Sequence, residues 1–298
     1  MSYGEKGPFM LAGRSVVITG ASSGIGRELA TLLSSHGASV FLGARRAKTL
    51  EEVAQSIESR GGKVQFLQCD VTKRDEAEKL VHSCERAFGG VDVLVNNAGR
   101  GHFASVEDTT DEVIENMFRL NVYALWYTVR PALALMKRRQ SGHIINIASM
   151  AGKIGFPFNS AYVAAKHACV GFTHALRAEL VETGIHASVV CPGGVLTDWA
   201  RVTEGKAMLP FFSESGPLIK AIAKERGTDL VPIEGVLPAS RIAEKILECI
   251  LNPVPEVYTH EGSMEFVRLA ATDRAKADMY QLPVALGERM VYEKMKKP

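Results

Sequence analysis

Val16-Val17-Ile18-Thr19-Gly20-Ala21-Ser22-Ser23-Gly24-Ile25-Gly26 sets the reading of the whole chain. Residues 16–19 are all β-branched, which suits a buried strand, and a helical pattern follows over about 25–35. Glycines between a strand and a helix permit a tight turn and let backbone N–H groups approach a pyrophosphate at the positive end of the helix. The spacing is Gly-x-x-x-Gly-x-Gly, which departs from the commoner Gly-x-Gly-x-x-Gly. Taken alone, such a turn reads equally well as plain turn chemistry, so the flanking sequence has to decide.

Outward from that turn the chain alternates short apolar runs with longer helical patterns. Strands are expected at 38–43, 63–68, 91–95, 143–148, 186–191 and 256–259. Helices are expected at 48–60, 74–87, 112–138 (interrupted by Pro131), 160–182 and 239–251. This alternation implies an α/β fold with a doubly wound parallel sheet covered on both faces and right-handed crossovers. Residues 193–238, with prolines at 210, 217, 232 and 238, break the pattern and read as a substrate-binding loop or lid. Residues 261–298 form a C-terminal extension whose apolar positions, Phe266, Leu269, Met279, Leu282, Val284, Leu286 and Met290, argue against complete disorder. A packed cap and a subunit contact are both open for it.

Composition excludes several classes. The chain has 298 residues and a formal net charge of +2, with no basic arm, so no nucleic-acid partner is expected. The five cysteines, Cys69, Cys84, Cys169, Cys191 and Cys249, are widely spaced and read as free thiols in a reducing compartment. No His-x-x-x-His or mixed Cys/His cluster suggests a metal. Neither a secretory signal nor a membrane span is read, so a soluble cytoplasmic protein is expected.

Further polar residues fall at successive strand ends. Arg45 and Arg46 follow the second strand, where a carboxylate would favour the ribose hydroxyls of NAD and repel a 2′-phosphate; arginine does the reverse. Phosphate recognition is favoured over a solvated basic pair, with Arg45 as the main contact and Arg46 stacking or assisting. Asp70 and Val71 follow the third strand, where the carboxylate could accept from an adenine amino group or cap the next helix. Asn96-Asn97-Ala98-Gly99 follows the fourth and offers polar groups at a permissive bend.

Ser149 lies just past the strand at 143–148, and Tyr162 and Lys166 are four residues apart on one helical face. An ammonium beside a phenol stabilises the phenolate and lowers its pKa from about 10, which would make Tyr162 a usable acid or base near neutrality. Such pairs also arise by chance. Asn121, inside a helical pattern, equally suits a helix surface or a kink.

In order along the chain, residues 19–26, Asp70, residues 96–99, Asn121, Ser149, Tyr162 with Lys166, and Pro192-Gly193 with Thr197 resemble the short-chain dehydrogenase/reductase family. The motifs span residues 11–260, which the resemblance implies form a single Rossmann-type catalytic domain, and the gap of twelve residues between Ser149 and Tyr162 suits the family. The resemblance implies an Asn121-Ser149-Tyr162-Lys166 catalytic set. Tyr162 would exchange a proton with the substrate oxygen, Ser149 would polarise that oxygen, Lys166 would contact the nicotinamide ribose, and Asn121 would anchor a water. The implied cofactor contacts are Thr19, Gly20, Ser22, Ser23, Gly24, Ile25, Gly26, Arg45, Arg46, Asp70, Val71, Asn97, Ala98, Gly99, Tyr162, Lys166, Pro192, Gly193, Val195 and Thr197. The arginines resemble those of NADP-preferring members, which makes NADP(H) the expected cofactor.

The expected activity is therefore interconversion of a carbonyl and a secondary alcohol. The expected pocket combines Met150, Phe156, Phe158, His102 and Phe103 with the stretch from Trp199 and with Met208, Leu209, Phe211 and Phe212, which suits an apolar or bulky substrate. Rival readings are a catalytically inactive nucleotide-binding regulatory protein and an epimerase that uses transient oxidation. The family commonly assembles through the two long helices, so a homodimer or homotetramer is expected, with Leu125, Trp126, Leu133, Phe172 and Leu176 as candidate contacts or sheet-packing residues.

Overall fold

The computed structural model describes residues 11–197, 203–205, 208–233 and 235–296, excepting the side chains of 208–212. Trp199 and the side chains of Met208, Leu209, Phe211 and Phe212 lie outside the described residues. In chain order, the strands are β1 (Ser15–Thr19), β2 (Ser39–Ala44), β3 (Lys63–Gln68), β4 (Val93–Asn96), β5 (His102–Phe103), β6 (Gly142–Ile147), β7 (Ile185–Cys191), β8 (Val195–Leu196), β9 (Glu204–Gly205), β10 (Leu237–Pro238) and β11 (Glu256–Tyr258). The helices are α1 (Gly24–Ser35), α2 (Ala47–Glu58), α3 (Arg74–Phe88), α4 (Asp111–Phe118), α5 (Ala124–Arg139), α6 (Ser160–Glu179), α7 (Met208–Arg226), α8 (Ala239–Leu251), α9 (Ser263–Thr272) and α10 (Arg274–Lys296).

Seven strands form one parallel sheet in the order β3-β2-β1-β4-β6-β7-β11. Strand β1 shows why the sheet is covered on both faces. Val16 and Ile18 pack into one core with α1, α2 and α8, while Val17 packs into the other with α3, α5 and α6. Alternation along a strand sends neighbours to opposite faces, so a wholly apolar strand requires helices on both. The order reverses direction between β1 and β4, which opens a crevice at their carboxyl ends.

Two expectations need correction. The long helix expected at 112–138 is not interrupted at Pro131, which lies buried inside α5. The break comes earlier, at a π-helical turn over Arg119–Tyr123 that contains Asn121. There Asn121 Nδ2 donates to Met117 O at 3.0 Å and to Arg100 O at 3.2 Å, so its side chain stands in for a backbone donor where the regular ladder is lost. The stretch expected as a loop at 193–238 contains the 19-residue helix α7.

The extension is a packed pair of helices, not an open tail. Gly287 of α10 lets the backbones approach: a Cβ there would lie 2.7 Å from Ile219 Cγ1 and 3.1 Å from Ile219 N of α7. Tyr292 stacks on Phe158 with ring centroids 4.3 Å apart and meets Phe103 edge-on at 5.8 Å. Its hydroxyl accepts from Ser105 N–H at 2.9 Å and donates to Asp108 Oδ2 at 2.8 Å. Lys296 also binds that carboxylate, at 2.6 Å. These contacts join the end of the chain to the segments before α4 and α6.

Candidate active site

The carboxyl ends of β1 and β4 are tied together before any ligand enters. Thr19 Oγ1 accepts from the N–H groups of Asn97 and Ala98, both at 3.0 Å. Asn97 Nδ2 donates back to Thr19 O at 3.0 Å and Gly20 O at 3.2 Å. Asn97 thus spends its amide nitrogen on shaping the glycine turn. Gly20 has φ +66° and Gly24 φ +54°, and a Cβ on Gly26 would meet Gly20 O at 2.6 Å. Larger residues would therefore close the turn through both backbone conformation and space. Helix α1 begins with no side-chain cap bond and no acidic residue in its first turn, which leaves its positive end available to an anion.

Beside this turn, the two arginines differ in their contacts. Arg46 donates from Nη2 to Ser23 Oγ at 2.7 Å and to Ser22 Oγ at 3.1 Å. Both arginines are exposed, yet Arg46 is the one held over the turn, because it starts α2 and points back across it. Asp70 Oδ1 accepts from Thr72 N–H at 3.0 Å and Thr72 Oγ1 at 2.8 Å, so one carboxylate oxygen makes a local turn. Val71 beside it is buried in the core.

At the ends of β4 and β6 four side chains converge. Ser149, just beyond β6, accepts from Ala151 N–H at 3.1 Å and hydrogen-bonds to the Tyr162 phenol. Tyr162 and Lys166 emerge from one face of α6 and are both buried. Lys166 Nζ lies 5.7 Å from the Tyr162 ring centroid and donates to Ile147 O at 2.9 Å. A Cβ on Gly99 would come within 2.9 Å of Asn121 Oδ1 and 3.3 Å of Lys166 Nζ. Glycine at that bend is what lets α6 and the π turn approach each other. Asn121 Oδ1 is buried without a partner, an acceptor that a water could satisfy beside the lysine.

The expected acidification of Tyr162 does not occur in this state. Burial pushes its phenol up to about 12, outweighing the opposing hydrogen bond from Ser149. Burial also lowers Lys166. With the lysine engaged with a carbonyl and the phenol buried, loss of solvation dominates.

Of the expected pocket residues, Phe103 is fully buried and, with Phe158, is committed to packing against Tyr292. Phe156 is exposed, and Met150 is buried beneath the Ser149 turn. His102 is buried, with Nδ1 unpartnered and its pKa lowered by burial. Strand β5 pairs with β9, and an Arg100–Glu204 ion pair reinforces that junction.

Sequence reasoning missed a buried polar chain below this site. Thr128 Oγ1 donates to Asn96 Oδ1 at 2.7 Å, Asn96 Nδ2 to Asn146 Oδ1 at 2.9 Å, and Asn146 Nδ2 to Thr173 Oγ1 at 2.9 Å. The chain links α5, β4, β6 and α6, so it sets the spacing of the elements that carry Asn121, Ser149 and Tyr162. The only sequence signal was asparagine inside apolar strands, a type that costs stability there unless partnered.

Residues 14–207 match the short chain dehydrogenase family. A ketoacyl reductase of Nostoc sp. is 33% identical over 277 residues, covering 89% of this chain and 95% of that protein. A D-beta-hydroxybutyrate dehydrogenase of Cupriavidus necator is 40% identical over 192 residues, covering 63% of this chain and 73% of its own length. Among solved structures, a short chain dehydrogenase/reductase from Burkholderia phymatum in complex with NAD superposes with a TM-score of 0.77 at 28% identity, covering 89% of this chain and 95% of that one. An actinorhodin polyketide ketoreductase variant with NADPH superposes with a TM-score of 0.68 at 30% identity, covering 82% and 95%. The chain belongs to the short chain dehydrogenase family and is an oxidoreductase of that class.

Proposed function

We propose that this chain is an NADP(H)-dependent oxidoreductase that interconverts a ketone and a secondary alcohol on a neutral, apolar or bulky substrate. The observation that carries this reading is the grouping of Ser149 with Tyr162, of Tyr162 with Lys166, and of Lys166 with Asn121 across Gly99. The residues fit a nicotinamide dinucleotide: the glycine turn and the uncapped start of α1 suit a pyrophosphate, and Ser22, Ser23 and Arg46 suit a 2′-phosphate with Arg45 beside them. Asp70 and Val71 would border the adenine, Ala98 and Gly99 the ribose, and Pro192, Gly193, Val195 and Thr197 the nicotinamide side. When bound, the dinucleotide supplies a hydride donor or acceptor.

The protein's own part is proton handling and alignment. Tyr162 holds a phenolic proton at neutral pH and delivers it to the substrate oxygen in reduction; in oxidation it must first lose that proton. Ser149 donates to the same oxygen, which keeps it within reach of the phenol. Lys166 and a water on Asn121 Oδ1 would link the buried phenol to solvent.

Two ion pairs among the described residues support this substrate class. Lys153 is paired with Glu256 at 2.8 Å and Arg100 with Glu204, so neither offers an uncommitted cation to a carboxylate substrate. Of the activities named for its relatives, reduction of a neutral ketoacyl group therefore fits better than oxidation of a free hydroxy acid. Exposed Tyr123 and the Trp126–Phe172 ring pair, 4.5 Å apart, offer a face on α5 and α6 for a second copy, whereas Leu125 and Leu176 are buried in the core.

The test is a panel of a ketoacyl thioester, a bulky cyclic ketone and free 3-hydroxybutyrate, assayed with NADP(H) and NAD(H). Turnover on the neutral ketones with NADPH is expected. Faster turnover of free 3-hydroxybutyrate overturns the substrate class. Equal use of NADH overturns the cofactor preference, as does unchanged NADPH affinity in Arg46→Asp.

A further inference from the structure

The turn that leaves β7 is gripped from both sides. On one side, Pro192 O accepts from Met150 N–H at 2.8 Å, and Ser149 Oγ lies 3.5 Å from the same oxygen. On the other side stands His260, two residues beyond β11 and only 3% exposed. Its Nε2 lies 2.8 Å from Gly194 O, which can only accept, so Nε2 carries the ring proton. Nδ1 is then a lone pair, and it accepts from Gly193 N–H at 3.1 Å, with Thr259 Oγ1 a second donor at 2.8 Å. The ring lies flat against the turn, since a Cβ on Gly193 would meet its Cγ at 3.0 Å. One neutral imidazole thus binds the donor of one glycine and the acceptor of the next.

The path of the gripped segment gives the contact its meaning. From Pro192 beside Ser149, it runs to Thr197, whose Cγ2 would lie 3.0 Å from a Cβ on Gly24 in the glycine turn. It therefore spans the distance from the proposed proton donors to the proposed pyrophosphate cradle. Strand β8 in its middle is braced by β10, with Leu237 N–H donating to Gly194 O at 2.9 Å.

We propose that His260 is a positioning residue for the nicotinamide half of the bound dinucleotide, holding the Pro192-Gly193-Gly194 turn at the height that Ser149 and Tyr162 require. This rests on the dinucleotide-binding reading above. The adenosine half is held by other residues, Ser22, Ser23, Arg46 and Asp70, none of which touches His260.

That separation makes the test sharp. Calorimetric titrations of the wild type, His260→Ala and His260→Asn would use NADPH and its adenosine-side fragment 2′,5′-ADP, with NADH and ADP-ribose run in parallel. In His260→Ala the whole dinucleotide is expected to bind about tenfold more weakly, in line with losing a buried hydrogen-bonding partner, while the fragment stays within about twofold. His260→Asn, whose amide oxygen can face Gly193 N–H, is expected to recover part of the loss. In the cofactor-free protein, hydrogen exchange at the Gly193 amide should accelerate in His260→Ala. Equal weakening of dinucleotide and fragment overturns the proposal in favour of a purely structural role, and so does unchanged dinucleotide affinity. If the wild type binds neither dinucleotide, the functional reading beneath it fails instead.

Discussion

The strand-end crevice and the Tyr292–Asp108 cluster at the end of α10 belong to the same protein but treat their polar groups in opposite ways. At the crevice, satisfaction is incomplete: Asn121 Oδ1 is buried without a partner, α1 starts uncapped, and Gly99 keeps the space between Asn121 and Lys166 clear of a side chain. In the C-terminal region, the Tyr292 hydroxyl both accepts and donates, Asp108 collects Ser105, Tyr292 and Lys296, and three aromatic rings fill the gap between them. Unsatisfied buried polar atoms cost stability, so a fold tolerates them where a ligand completes them. The difference teaches that the crevice keeps polar groups open to a ligand, whereas the Tyr292–Asp108 cluster is closed by its own packing.

The largest expected effect breaks or upholds the first half of that contrast. Tyr162→Phe should lower turnover by about two to four orders of magnitude while leaving dinucleotide affinity and melting temperature near those of the wild type. Turnover within tenfold of the wild type would remove Tyr162 from its role. Because burial holds the phenol proton to about 12, the reductive rate should stay level from about pH 6 to 9. Oxidation, which needs the proton gone, should climb across that range.

Tyr292→Ala tests the other half. Loss of the stacked ring and its two hydrogen bonds should cost about 3–5 kcal/mol, read by urea denaturation, with dinucleotide affinity of the folded fraction unchanged. A folded variant of normal stability that cannot turn over would place Tyr292 in the functional machinery and end the contrast.

A smaller effect is expected at Glu288, the buried carboxyl of α10. Burial pushes it up to about 8 from its usual 4.5. The folded chain therefore keeps a proton that the unfolded chain gives up, and stability falls as pH rises from about 4.5 to about 8. Glu288→Gln should remove that loss and raise the melting temperature by roughly 5 °C at pH 8, with the gap closing toward pH 4.5. A gap that does not vary with pH would refute this account.

The smallest effect is at Asp108, whose carboxylate is held down to about 2 by Lys296, Tyr292 and Ser105. The stabilisation is present above the unfolded value near 3.8 and is lost as pH falls through about 2. Asp108→Asn should flatten the acid limb of the stability curve in that window, leaving the variant less stable than the wild type at neutrality and equal to it near pH 2, by a small margin because the ion pair is solvent-exposed.

Much of the crevice was legible in the sequence. The β-branched run before Gly20, the glycine spacing and the four-residue step from Tyr162 to Lys166 are local patterns, and local spacing dictates which groups share a turn or a helix face. The order of apolar and helical segments likewise required a parallel sheet. Strand boundaries shifted by only one or two residues, as for β2 and β6.

What the sequence by itself determined, then, is the doubly wound sheet and the set of polar residues at its strand ends, because both follow from periodicity and short spacing. Only the tertiary structure decided that Arg46 crosses the glycine turn, that the helix break falls at Asn121 and not at Pro131, and that burial overrides the lysine in setting the Tyr162 proton. It alone brought His260 to Gly193 and Tyr292 to Ser105, across separations of 67 and 187 residues. Such pairings depend on how whole elements pack and exclude water, and no local pattern encodes that distance.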